Sequence, residues 1–202
     1  MRNNRRRVVN GLMGIGLFGV ILSWPLELSA QDNRMLIDDF SKENFISALG
    51  TSWVGVSDKV MGGISEARIE TTTISLRRCL HLTGDVRVEN NGGFIQAALN
   101  LSEDNKIFDA SRFSGVRLTV YGNNENYSIH LRTLDNNRPW QSYRAHFIAK
   151  SMWHVIELPF KNFKPYRLDT KLNITRLKRI GLVAIGRPFS ADLAISNIEF
   201  YK

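Results

Sequence analysis

Cysteine is nearly absent: Cys79 is the only one in 202 residues. One thiol excludes an internal disulfide and any cysteine-built zinc site. It sits in the apolar run Cys79-Leu80-His81-Leu82, which reads as a small buried hydrophobe. No tract rich in Pro, Gly or Ser interrupts the chain, and no segment repeats, so a single domain is expected. Catalytic signatures are missing as well. There is no nucleophile elbow, no H-E-x-x-H, no phosphate loop and no dinucleotide fingerprint. Helical periodicity is also scarce, with only Lys42–Leu49 and Asn173–Lys178 reading as short helices.

The basic excess is smaller than it looks. The formal charge is +8, but Arg2, Arg5, Arg6 and Arg7 stand against Glu27 alone in the first 30 residues. The remainder holds 23 basic and 18 acidic residues. These are scattered apart from Arg176-Leu177-Lys178-Arg179, a weak basis for nucleic-acid binding, and none is expected. The first 30 residues have the three parts of a secretory leader. A basic start precedes an uncharged, mostly apolar stretch from Val8 to Trp24, and Leu28-Ser29-Ala30 ends on a small residue. The reading is a signal peptide over 1–30 and an exported domain over 31–202, in the periplasm or cell envelope. An uncleaved membrane anchor is the alternative, and contact with a membrane is expected only in that case.

What the sequence does hold is alternation of period two. Val116–Tyr121, Tyr127–Leu134, Ser142–Ala149 and Trp153–Leu158 read as strands, each bounded by turn residues. Met35–Phe40, Ala67–Glu70, Ile74–Arg77, Leu80–Leu82, Phe94–Leu99, Leu177–Ile185 and Asp192–Tyr201 complete the set. Short strands at this spacing predict an all-β sandwich or barrel. Trp153 alternates with Val155 ahead of Pro159-Phe160 and is expected in the core between the sheets.

Few residues point to chemistry. His81, His130, His146 and His154 lie on separate strands, with no ligand spacing. Asp38 and Asp39, with Glu199, would suit an oxygen-rich cation site, but the pair reads better as a soluble strand end. A hydrolase would need two converging carboxylates; Asp58, Glu89 and Asp135 are the loop candidates, and nothing pairs them. No catalytic residue, metal or cofactor is therefore expected. The shaped loops are more informative. Ser57 and Asp58 favour a local turn, and Met61 is followed by Gly62-Gly63. A second glycine pair occurs in Asn91-Gly92-Gly93. Two such pairs suggest loops that pack on one another, with Asp58 accepting backbone N–H groups. Arg132, Trp140 and Tyr143 surround a polar loop where an aromatic is not required for packing, as in sites that hold sugar rings or a partner's side chains. Ser57, Asp58, Met61, Gly62, Gly63, Asn91, Gly92, Gly93, Arg132, Trp140 and Tyr143 are the candidate ligand or partner site.

Taken in order, several stretches resemble the CIA30 family, the complex I intermediate-associated protein 30 domain. They are Asp38-Asp39-Phe40, Trp53 to Ser65, Asn91-Gly92-Gly93-Phe94, Tyr143 with Phe147, Trp153 with Leu158-Pro159-Phe160, Phe163 and Pro165, and Ile180-Gly181-Leu182. The resemblance spans about residues 36–201. It implies a galactose-binding-domain-like jelly roll and a non-enzymatic role, since mitochondrial members assist respiratory complex I assembly in a chaperone-like way. The expected partner is therefore a protein, with a carbohydrate ligand or an enzyme-accessory role as the alternative.

Overall fold

The computed structural model describes residues 33–202, so the leader lies outside the described residues. Among the described residues, twelve strands form two antiparallel sheets. The first sheet holds β1 (Arg34–Asp38), β3 (Arg68–Ile74), β4 (Arg77–Val86), β6 (Gly115–Gly122), β9 (His154–Pro159) and β12 (Phe189–Tyr201). Its order is β3-β4-β12-β6-β9, and β1 also pairs with β12. The second sheet holds β2 (Val54–Ser57), β5 (Phe94–Asn100), β7 (Glu125–Thr133), β8 (Ser142–Ala149), β10 (Lys164–Tyr166) and β11 (Leu177–Ile185). Its order is β10-β8-β7-β11-β5-β2. The two sheets form the expected jelly-roll sandwich.

Alternation explains which faces meet. Ile129, Leu131, Ala145, Phe147, Ile180 and Leu182 of the second sheet are buried against Leu80, Leu82, Leu118, Val120, Leu193 and Phe200 of the first. One end of the core is aromatic, with the Phe200 ring 5.2 Å from Phe108 and 5.6 Å from Phe113. Cys79 is fully buried, and burial pushes its thiol up to about 11, so it stays protonated and unreactive. The first and last described residues meet on the first sheet, where Arg34 faces Tyr201 and the Lys202 N–H donates to the Asn33 carbonyl.

Several sequence expectations need correction. Residues 42–49 form bends and turns, and Asn173–Lys178 yields only a 3-10 turn at Ile174–Arg176. Strands β2 and β10 escape the periodicity because they are four and three residues long. Ile74–Arg77 is not a strand but the closure of the β3–β4 hairpin, with Ser75 and Leu76 both at positive φ, as a tight two-residue turn demands.

Trp153 is the clearest miss. Ile156 and Leu158 are the inward residues of β9, which puts Trp153, Val155 and Glu157 on the outer face. There Trp153 packs on Tyr121, with ring centroids 5.6 Å apart, and donates its Nε1–H to the Ile74 carbonyl at 3.1 Å. Val155, an apolar residue at a solvent position, hides the true register. Trp153→Ala is therefore expected to cost about 1–2 kcal/mol in chemical denaturation, below the roughly 3–5 kcal/mol of a core aromatic. A loss in the upper range would return Trp153 to the core.

Candidate functional site

The outer face of the second sheet carries a groove of about 610 Å³. Its floor is the set of residues that alternate away from the core: Gln96 on β5, Arg179, Gly181 and Val183 on β11, His130 and Arg132 on β7, and Ser142 and Arg144 on β8. Gly181 makes room for the Gln96 amide, which lies across it where a Cβ would be. Tyr166 of β10 closes one edge, and Val56 of β2 the other.

At the β2–β5 edge, the two glycine loops meet around Asp58, as the loop chemistry anticipates. Ser57 caps a 3-10 turn over Asp58–Met61, which Gly62 ends at φ 88°. The Asp58 side chain turns inward and is fully buried. It accepts Ser65 N–H at 2.9 Å, the Ser65 hydroxyl, Gly93 N–H at 2.5 Å and Phe94 N–H at 3.4 Å. A Cβ on Gly63 or Gly92 would overlap its carboxylate, so both glycines are needed for the carboxylate to fit. Burial pushes the Asp58 carboxyl up, but these hydrogen bonds outweigh burial and hold it below the ordinary value. Asp58 is thus a brace, and what reaches the groove from this corner is Met61, Gly92 and Gly93, with Val60 and Val88 beside them. Asn91 lies in the 3-10 turn Glu89–Asn91 just before them.

The diagonally opposite corner is the loop between β7 and β8. The Arg132 guanidinium donates to the carbonyls of Arg138 and Pro139 at 3.0 and 2.9 Å. The Gln141 amide oxygen accepts from Asn137 and Arg138 N–H, and its nitrogen donates to the Arg167 carbonyl. These bonds hold the loop while leaving Trp140 44% exposed over the groove. Tyr143, expected at this site, is not in it. It alternates into the core at 0% exposure, its hydroxyl bonded to Thr170 Oγ1 and the Lys171 carbonyl. Neighbouring Ser142 and Arg144 take the outward positions instead.

The groove is cationic. Arg132, Arg144, Arg167 and Arg179 line it, and none of its lining residues is acidic. Burial lowers the guanidinium affinity for protons at Arg132, with Arg179 adding to it, and likewise at Arg144 and Arg179. Burial, reinforced by Arg144 and His146, holds the His130 imidazole well below its ordinary value, so it is neutral at neutral pH. Its Nε2 lies 3.0 Å from the Ser128 hydroxyl.

The other candidates do not converge. His81 sits on the first sheet between Glu70 and Asp192, and His154 on β9. Asp38 points inward and accepts from Trp53 Nε1–H at 2.8 Å, whereas Glu199 points outward to Arg117. Glu89 pairs with Arg87, and Asp135 with Arg176.

The sequence profile of the family described as Complex I intermediate-associated protein 30 (CIA30) matches residues 39–195. The chain belongs to the CIA30 family. No curated protein matches its sequence. Among solved structures, the CIA30 domain is similar to a family 11 carbohydrate-binding module of a cellulosomal cellulase of Clostridium thermocellum, at 15% identity and a TM-score of 0.63. That match covers 83% of this chain and 94% of the module. A family 11 module from the same organism, in complex with a β-1,3-1,4-mixed-linked tetrasaccharide, matches at 14% identity and TM-score 0.61, covering 83% and 95%. A family 30 carbohydrate-binding module of another cellulosomal cellulase of C. thermocellum matches at 12% identity and TM-score 0.58, covering 83% and 98%. At these identities the likeness establishes the fold.

Gln96, His130, Arg144, Tyr166, Arg179 and Gly181 were not recognisable as a site from the CIA30 sequence. The signal that could have found them is alternation itself: each basic one occupies an outward position on its strand. Only the order β8-β7-β11 makes them neighbours.

Proposed function

We propose that the domain is exported and is a non-catalytic binding module that holds a saccharide chain in the groove of its second sheet. The observation that carries the reading is the groove's construction. It crosses the strands between two braced corners, has a polar floor, and presents Trp140 and Tyr166, 44% and 37% exposed, at its margin. Aromatic faces pack on sugar rings while floor donors and acceptors fix hydroxyls. The fold shared with carbohydrate-binding modules supports the reading by analogy. Turnover has no support here: glycoside hydrolysis employs two carboxylates flanking the bond, and the groove is lined by none.

The test is retardation in gels cast with polysaccharides, run for the wild type and Trp140→Ala. The wild type should be slowed by at least one polysaccharide. Trp140→Ala should keep its melting temperature and lose roughly 2 kcal/mol of binding, the cost of removing an exposed anchor. Unchanged retardation of a folded Trp140→Ala protein would remove Trp140 from the site.

A second reading, a protein client, is favoured by the apolar corner of Val60, Met61 and Val88, exposed at 72%, 46% and 44%. It would show as co-purification with an envelope protein that Met61→Asp abolishes and Trp140→Ala leaves intact.

A further inference from the structure

We infer that the groove selects an acidic saccharide, with a uronate carboxylate or a sulfate ester seated between Arg179 and Arg144. The inference rests on the saccharide reading above and adds the charge of the ligand.

The argument starts from the register. Arg179 of β11 stands directly opposite Arg132 of β7, and His130 of β7 opposite Arg144 of β8. The Arg179–Arg132 pair sets like charges opposite each other across the ladder, which is destabilising; His130 is neutral and leaves Arg144 without a counter-charge. A fold has cheap ways to relieve such a pair, chiefly an acid at a neighbouring outward position. This sheet does not use them, since none of the groove's lining residues is Asp or Glu. The contrast with the first sheet is direct. There, the outward Arg117 is paired with both Glu157 and Glu199, and Arg34 also reaches Glu199.

The donors are also unequal in their use. Arg132 is spent on the loop carbonyls of Arg138 and Pro139. Arg144 uses Nε on the Ser142 hydroxyl and lies over the Tyr166 ring at 3.4 Å, which fixes its plane while leaving its two terminal nitrogens. The Arg179 side chain makes no hydrogen bond or ion pair among the described residues, and its buried Nε is an orphan donor. Buried donors without partners are rare because they forfeit solvation. A planar guanidinium held in place without a partner is suited to bidentate capture of a carboxylate or a sulfate. Burial lowers the proton affinity of both guanidiniums, which an incoming anion would reverse. His130 and Arg132 of β7 lie between the strands that carry the two guanidiniums, and the neutral His130 adds no acid there.

The experiment is calorimetric titration of the whole protein with two series of oligosaccharides: uronates (galacturonate, glucuronate, mannuronate and guluronate tetramers) with their carboxyl-reduced counterparts, and sulfated tetramers with their desulfated counterparts. Binding of an acidic member at least about tenfold tighter than its neutral counterpart, weakening as salt is raised, supports the inference. The series that binds tells a carboxylate from a sulfate. Arg179→Gln and Arg144→Gln should each lose about tenfold or more for the acidic ligand, the usual weight of a charged hydrogen bond. Arg179→Gln should keep or raise the melting temperature, because it relieves a like-charge pair. Arg68→Gln, on the other sheet, should bind normally. Equal binding of acidic and neutral members would overturn the charge selection and leave the saccharide reading standing. Binding of neither, or of an oligoglutamate peptide alone, would overturn both.

Discussion

Asp58→Ala is expected to cost about 3–5 kcal/mol, a large part of the roughly 5–15 kcal/mol that holds an ordinary domain folded. The carboxylate is fully buried and collects donors from three residues on two loops. Alanine would orphan the Ser65 and Gly93 N–H groups in the space that Gly63 and Gly92 leave for the carboxylate. Asp58→Asn should recover part of the loss, since one oxygen still accepts while the amide nitrogen faces donors. The pH dependence has a definite sign. A carboxyl held below its ordinary value when folded adds stability that is complete above the unfolded value and fades as pH falls through the folded one. The wild type should therefore lose stability in acid more steeply than Asp58→Asn. Equal acid slopes in urea denaturation series at several pH values would show that Asp58 is not the brace.

Gly84→Ala is expected to be at least as damaging, about 3–5 kcal/mol or failure to fold. Gly84 lies in β4 opposite Ala191, at φ +142°, and a Cβ there would overlap the Glu66 carbonyl oxygen. The obstacle is backbone, held in place by the Glu66 N–H bond to the Asp85 carbonyl at 3.1 Å, so no rotamer change relieves it. Gly62→Ala is the comparison. That residue is also left-handed, at φ +88°, but nothing lies within 4 Å of its Cβ position, so only the backbone penalty of roughly 1 kcal/mol applies. A thermal melt of the two variants should separate them clearly. If they melt together, the Glu66 segment can move off β4.

Ser142–Ala149 and Leu177–Ile185 were legible to the residue, because long strands with one face in the core and turn residues at both ends advertise their period. The Asp58 brace was legible too, since a turn-forming acid followed by two glycine pairs is the pattern of loops folded closely around a carboxylate. Tyr143 and Trp153 were not. Tyr143 is flanked by the turn-side Ser142 and by Arg144, so the sequence alone does not say whether the tyrosine or the arginine faces the core. At Trp153 the apolar Val155 sits on the solvent face and inverts the apparent register. The cationic floor was hidden for a topological reason. Arg132, Arg144 and Arg179 are scattered along the chain and become a cluster only when β11 inserts beside β7.

The pairing of the first described strand with the last has a mechanical consequence. Because β1 runs antiparallel to β12 and Arg34 faces Tyr201, a pull on Asn33 and Lys202 would act at one corner, along the direction of the rungs. Antiparallel ladder bonds lie perpendicular to the strands, so such a pull loads them singly, from the Asn33–Lys202 rung inward, as a zipper does. Pulling along the strands would load the rungs together. The first strand is then a tear strip. Behind it, β12 is clasped on both sides by β4 and β6, and peeling that strand out would dismantle the first sheet.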